Sequence, residues 1–241
     1  MFKIMILAAG KGERMKPLTD TCPKPLLRAG GKMLIEYHLE KLAQAGFSSV
    51  VINHAYLGDM IEVALQDGKR YGLYIQYSPE SIVLETAGGI TNALPLLTNP
   101  DKHQPFAVIS ADIFCDMDFS TLWPILQQMQ SNSEQILAHL ILVNNPPHHP
   151  EGDFSLHNGS DKLVESTCPD CRKLTFSGIG VYHPALFKNV LPNQAEKLAP
   201  LLRQAITAGK VTGSHYLGIW MDIGTPERLQ LLDTKLRQSA L

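Results

Sequence analysis

The chain has 241 residues, 44% hydrophobic and 18% charged, the make-up of an ordinary globular protein, which excludes a disordered or fibrous one. Twenty-one basic against twenty-three acidic residues give a net charge of −2, so the surface is not one that coats nucleic acid, and any phosphate binding must be local. No apolar run approaches the ~20 residues of a membrane span, and four cysteines behind no basic-then-apolar leader point to a reducing cytoplasm.

The first apolar run, residues 2–7, predicts a strand that ends in a loop of small residues carrying Gly10, Gly12, Glu13 and Arg14, with Lys24 between Pro23 and Pro25 further on. Small residues let backbone N–H groups approach a phosphate chain, and two cations supply the charge such a chain needs. Arg14 can address two phosphate oxygens at once, whereas Lys24 acts as a point charge. The loop therefore reads as a nucleoside triphosphate site. Next, 33–45 has helical apolar spacing with Gly46 as a stop, 49–53 is a β-branched strand, 58–67 a helix, 73–77 a strand, 86–97 a helix, and 106–110 a fourth strand ending at Ala111-Asp112. This alternation predicts an α/β fold with a Rossmann-like, mostly parallel sheet flanked by helices, whose ligands gather at the carboxyl ends of the strands. The glycine loop and Asp112 both fall at such ends. Asp112 is there either as a cap or loop residue or as a hard oxygen ligand for Mg²⁺.

After an apolar strand at 136–143, residues 144–150 break regular structure with three prolines. Strand-like pieces around Phe154, Leu163 and 175–182, then helical pieces at 185–190, 197–208 and 226–237, predict a small mixed accessory sheet packed on the first half. No linker or repeat divides the chain, so 1–241 reads as a single domain. Asp222 lies between apolar residues on a short strand, where a carboxylate is costly to bury unpaired. A nearby cation would explain Asp222; capping of the last helix is the competing explanation, although Thr225 and Pro226 already supply its N-cap and first turn. Cys168-Pro169-Asp170-Cys171 is at most half a zinc site, and its cysteines, like His148-His149, read as loop residues.

The run Leu7-Ala8-Ala9-Gly10-Lys11-Gly12-Glu13-Arg14-Met15-Lys16-Pro17-Leu18-Thr19, followed by Pro23-Lys24-Pro25, resembles the signature of the sugar-phosphate nucleotidyltransferases, with Glu13 where many members carry Ser or Thr. The resemblance runs from Lys3 to about Leu232 and implies a GT-A-like fold. It implies a first half, 1–143, mainly for the nucleotide and a second, 144–241, mainly for the sugar phosphate, ending in the C-terminal helices. It further implies nucleotide-binding roles for Gly10, Gly12, Glu13, Arg14, Lys24, Ser110 and Gly88, the last allowing close approach of the nucleobase. Mg²⁺ is implied on Asp112, where Ala111 replaces a usual glycine, and on Asp222 in Trp220-Met221-Asp222-Ile223-Gly224-Thr225-Pro226-Glu227, so that Arg14, Lys24, Asp112 and Asp222 form the catalytic set. On the sugar side it implies contacts from Asp153, Glu165 and Gly178, with Ser166 where many members place a lysine. The motifs after Pro150 resemble the uridylyltransferases of bacterial cell-wall recycling, which implies UTP and N-acetylmuramic acid 1-phosphate as substrates, with no nucleic-acid or membrane partner. A glucose-, mannose- or phosphocholine-directed nucleotidyltransferase is the nearest alternative. A nucleotide-sensing regulatory subunit is the non-enzyme one.

Overall fold

A computed structural model of the chain describes residues 2–98, 104–132, 135–164 and 169–239. Along the chain the elements are β1 (Ile4–Leu7), a hairpin of β2 (Arg28–Ala29) and β3 (Lys32–Met33), α1 (Leu34–Gln44), β4 (Ser49–His54), α2 (Gly58–Leu65), β5 (Tyr74–Pro79), α3 (Glu85–Leu97) and β6 (Phe106–Ser110). There follow β7 (Ile113–Cys115), α4 (Leu122–Ser131), β8 (Ala138–Val143), β9 (Phe154–His157), β10 (Leu163–Val164), β11 (Cys171–Tyr182), α5 (Leu198–Thr207), β12 (Val211–His215), β13 (Trp220–Asp222) and α6 (Pro226–Ser239).

Strands β6, β1, β4 and β5 pair in parallel, in that order. The inner strands β6, β1 and β4 are mostly apolar because helices cover both faces, whereas the edge strand β5 is interrupted by Gln76 and Ser78. Ile4, Ile6, Ile52 and Ile109 point into the cluster shared with α1, α2 and α4, while Met5, Val51, Phe106 and Val108 point into the one under α3 and α5. The second half does form the expected mixed strands, but they extend this same sheet edge to edge instead of lying on it as a layer. The reason is β11. Its first residues pair with β9, its last pair antiparallel with β6 on one side and β8 on the other, and a bulge between Phe176 and Ile179 bends it from one partner set to the next. The β2–β3 hairpin, β7, α4 and β12 were not anticipated: the Pro124 of α4 sits in the first turn, where a missing N–H costs little, and β12, Val-Thr-Gly-Ser-His, has almost no apolar signal. Among the described residues no helix is long and apolar enough to cross a membrane.

His38 on α1 ties the core to the far edge of the fold. It is fully buried and its Nε2–H donates to the Ile113 carbonyl at 2.9 Å. Burial keeps the ring neutral, with its pKa pushed down to about 4, and His139 is held at about 4 for the same reason. Between an ordinary value near 6.5 and 4, the unfolded chain binds protons that the folded chain refuses, so stability is complete above about pH 6.5 and is lost as pH falls toward 4. Melting temperatures measured from pH 7 to 4.5 should therefore fall, and fall less steeply in His38→Gln. Parallel curves for the two proteins would show that His38 does not contribute.

Candidate active site

At the carboxyl end of β1 the Ala8 N–H donates to Asn53 Oδ1 (2.9 Å), Asn53 Nδ2 donates to Glu80 Oε1 (2.7 Å), and the Leu84 N–H donates to Glu80 Oε2 (3.0 Å). These bonds join the ends of β1, β4 and β5 to the start of α3. Burial raises the Glu80 pKa, opposed by the hydrogen bonds it accepts. Gly12 turns the loop at φ 65°, its carbonyl accepts from Thr19 Oγ1 at 2.8 Å, and a Cβ there would lie 2.8 Å from Thr19 Cγ2. A side chain is excluded by backbone conformation and by space alike. Gly10 faces open space instead. The loop curls around a cleft of about 820 Å³ whose lining includes Gly10, Gly12, Glu13, Arg14, Lys24 and Ser110.

Strands β7 and β13 form a two-stranded antiparallel ribbon at the same edge, with Asp222 opposite Ile113 and the Ile223 N–H donating to the Asp112 carbonyl at 2.7 Å. Two aspartates far apart in sequence thus become neighbours. Lys24 Nζ lies 2.8 Å from Asp112 Oδ2, its side chain only 10% exposed. Asp222 is held by Arg228 Nη1 on one oxygen and by His148 Nε2, 2.9 Å away, on the other. The ribbon is braced from below by His38 and by Lys41 Nζ, which donates to the Cys115 carbonyl at 2.7 Å, and from the side by Trp220 Nε1, which donates to the Ser177 carbonyl at 2.9 Å. Arg14 is exposed and has no ion-pair partner among the described residues.

A second cleft of about 620 Å³ opens between β11 and α5 and contains Asp153 and Gly178. Asp153 Oδ2 accepts from the Phe176 N–H at 2.8 Å, and Oδ1 lies 3.0 Å from His149 Nε2. Gly178, at φ 82° in the bulge, lets β11 pass Ser110, whose Oγ would stand 2.9 Å from a Cβ. Arg14, Ser110 and Asp112 belong to the walls of both clefts. A phosphate chain in the first and a phosphorylated acceptor in the second would meet there.

Residues 3–239 match the family model described as nucleotidyl transferase. The chain belongs to that family. It is 51% identical over 229 residues to an N-acetylmuramate alpha-1-phosphate uridylyltransferase of Neisseria meningitidis serogroup B, a match covering 95% of each chain. It is 29% identical over 230 residues to a mannose-1-phosphate guanyltransferase beta-B of Xenopus laevis, covering 93% of this chain and 62% of that longer protein. Its fold is that of a UDP-glucose pyrophosphorylase solved with UDP-glucose, at a TM-score of 0.73 and 21% identity over 99% of each chain.

In this nucleotidyl transferase, Gly88 packs against a neighbouring segment. It lines neither cleft. A Cβ there would fall 2.2 Å from the Gln194 carbonyl, and the Ala87 and Gly88 N–H groups both donate to the Glu196 carbonyl, at 2.9 and 3.2 Å. The glycine serves the docking of residues 194–196 on α3. Gly88→Ala should therefore cost about 1–3 kcal/mol by overpacking, read as a drop in melting temperature; an unchanged midpoint would show that the segment moves aside freely. The two histidines are not idle loop residues either, since they pair with Asp222 and Asp153, the carboxylates singled out from sequence. Cys171 opens β11 and is disulfide-bonded, where a loop thiol was expected. Glu165, Ser166 and Cys168 lie outside the described residues. Asn53 and Arg228 were missed because nothing local marks them, although Arg228 stands in the first turn of the helix after Asp222.

Proposed function

We propose that the protein transfers the uridylyl group of UTP to N-acetylmuramic acid 1-phosphate, releasing pyrophosphate, and does so in the cytoplasm. The observation that supports this most directly is the shared wall of the two clefts at Arg14, Ser110 and Asp112. UTP takes the glycine-loop cleft, with Gly10, Gly12 and Glu13 along its phosphates, and the sugar phosphate takes the cleft of Asp153 and Gly178. An acceptor phosphate oxygen attacks the α-phosphorus in line, the bond to the bridging oxygen breaks, and pyrophosphate carries away the electron pair. The acceptor is already ionised at neutral pH, so neither a general base nor a covalent enzyme intermediate is required.

Arg14, exposed and without an ion-pair partner among the described residues, is free to bridge phosphate oxygens from both substrates. Lys24, fixed by its burial, supplies a stationary charge for the departing phosphates. Asp112 and Asp222 fit Mg²⁺: two hard carboxylates, one just before β7 and the other at the end of β13, suit a cation that keeps water and substrate phosphates as its remaining ligands. When bound, Mg²⁺ would neutralise charge between the α-phosphate and the attacking phosphate. Uracil and N-acetylmuramic acid are assigned through the 51% identical relative, in line with the motifs after Pro150.

Pyrophosphate release measured over four nucleoside triphosphates and several phosphorylated acceptors tests the assignment. UTP with N-acetylmuramic acid 1-phosphate should give the highest kcat/KM. A higher value with GTP and mannose 1-phosphate, or with a glucose or choline phosphate, would reassign the substrate, and release with no pair would favour a nucleotide-sensing subunit.

A further inference from the structure

The acceptor cleft reaches deep between the sheet and α5, down to Tyr182 at the end of β11. Tyr182 is only 1% exposed yet forms part of the cleft's lining. It shares a strand face with Gly180, and its hydroxyl lies over that glycine, 2.5 Å from where a Cβ would be. The ring is wedged against Phe106 and Phe187, with centroids 6.3 and 5.9 Å away, so the hydroxyl is held along the strand toward the phosphate end. Burial raises its pKa far above neutrality, and it stays a donor at every working pH.

Several polar groups of the same cleft are engaged. Thr175 Oγ1 donates to Asn145 Oδ1 at 2.9 Å, Asp153 accepts from the Phe176 N–H, and Trp220 donates to the Ser177 carbonyl. The Tyr182 hydroxyl has no hydrogen-bond partner among the described residues, and burial alone sets its ionisation. The O–H opens on the floor of the cleft with no protein acceptor among the described residues, which leaves it to donate to whatever fills the cleft. The walls beside it, Val108, Phe154, Leu198 and Leu202, are apolar. A donor beside these apolar walls suits an amide carbonyl that carries a small alkyl group: the oxygen takes the hydrogen bond and the methyl lies on the aliphatic walls, while Lys197 and Arg203 of the same lining carry charge that an uncharged acylamino group does not need.

We propose that the Tyr182 hydroxyl reads the acylamino substituent of the acceptor sugar and so selects 2-acylamino hexose 1-phosphates. This rests on the acceptor assignment above and deepens it. The hydrogen bond forms in ground and transition states alike, so its loss appears in the acceptor KM and not in kcat.

The test is pyrophosphate release by the wild type and Tyr182→Phe at saturating UTP, with N-acetylmuramic acid 1-phosphate and its de-N-acetylated form as acceptors. The pair N-acetylglucosamine 1-phosphate and glucose 1-phosphate is run alongside. Tyr182→Phe should raise KM roughly five- to tenfold for the acylated member of each pair, leave the unacylated member and the UTP KM unchanged, and melt at or above the wild-type temperature. Equal effects on both members of a pair, no effect on either, or a lowered melting temperature would overturn the proposal. If the wild type prefers the glucosamine pair, the acceptor assignment fails while the ratio within that pair still decides Tyr182. If only unacylated sugars react, both fall.

Discussion

Asp112→Asn is expected to lower kcat/KM with Mg²⁺ by at least about 10³ while the chain stays folded, because transition-state charge stabilisation on this scale is what a correctly placed ion or donor supplies. The isosteric amide isolates charge from shape. Asp112 anchors the β7–β13 ribbon through its backbone carbonyl, which accepts from the Ile223 N–H, and that bond survives the substitution. Its side chain is 45% exposed, so the ion pair with Lys24 adds little to stability, and Lys24 can still donate to the amide oxygen. Steady-state pyrophosphate release measures the loss, and circular dichroism with thermal melting confirms the fold. Asp222→Asn should behave alike, although it also removes the charge that holds Arg228 and His148. Full activity in either purified variant would remove the metal assignment.

Lys24→Ala should lower kcat by roughly 10²–10³ and change the UTP KM much less, because the charge it meets grows as pyrophosphate departs. The structure raises a competing role for this lysine as the partner of Asp112, 2.8 Å away. The two roles separate in the kinetics. A lysine that only balances Asp112 would leave kcat near its wild-type value once stability is accounted for, whereas one that faces the leaving group would not. Loss of its buried stem should also lower the melting temperature modestly. A kcat within a factor of two of wild type would confine Lys24 to pairing with Asp112.

Much of the first half of the chain was legible because its signals are local. Gly12 at φ 65° announces a turn, Lys24 between two prolines announces a fixed cation, and the fourth strand was placed at its true bounds by a continuous apolar run. The later strands were harder to place. The length and bulge of β11 decide which neighbours it joins, and β12 is held by pairing with β8 and not by its own composition.

By itself the sequence determined the glycine loop, the parallel half of the sheet and the residue types at Arg14, Lys24, Asp112 and Asp222, since loop chemistry and strand patterning depend on residues a few positions apart. Tertiary structure alone decided what those residues touch. The β7–β13 ladder sets Asp222 beside Asp112, Arg228 and His148 take up Asp222, residues 194–196 claim Gly88, and Tyr182 is folded under the second cleft. Each of these depends on contacts between segments distant in the chain. Their geometry is set by sheet register and helix docking, and no local pattern encodes either.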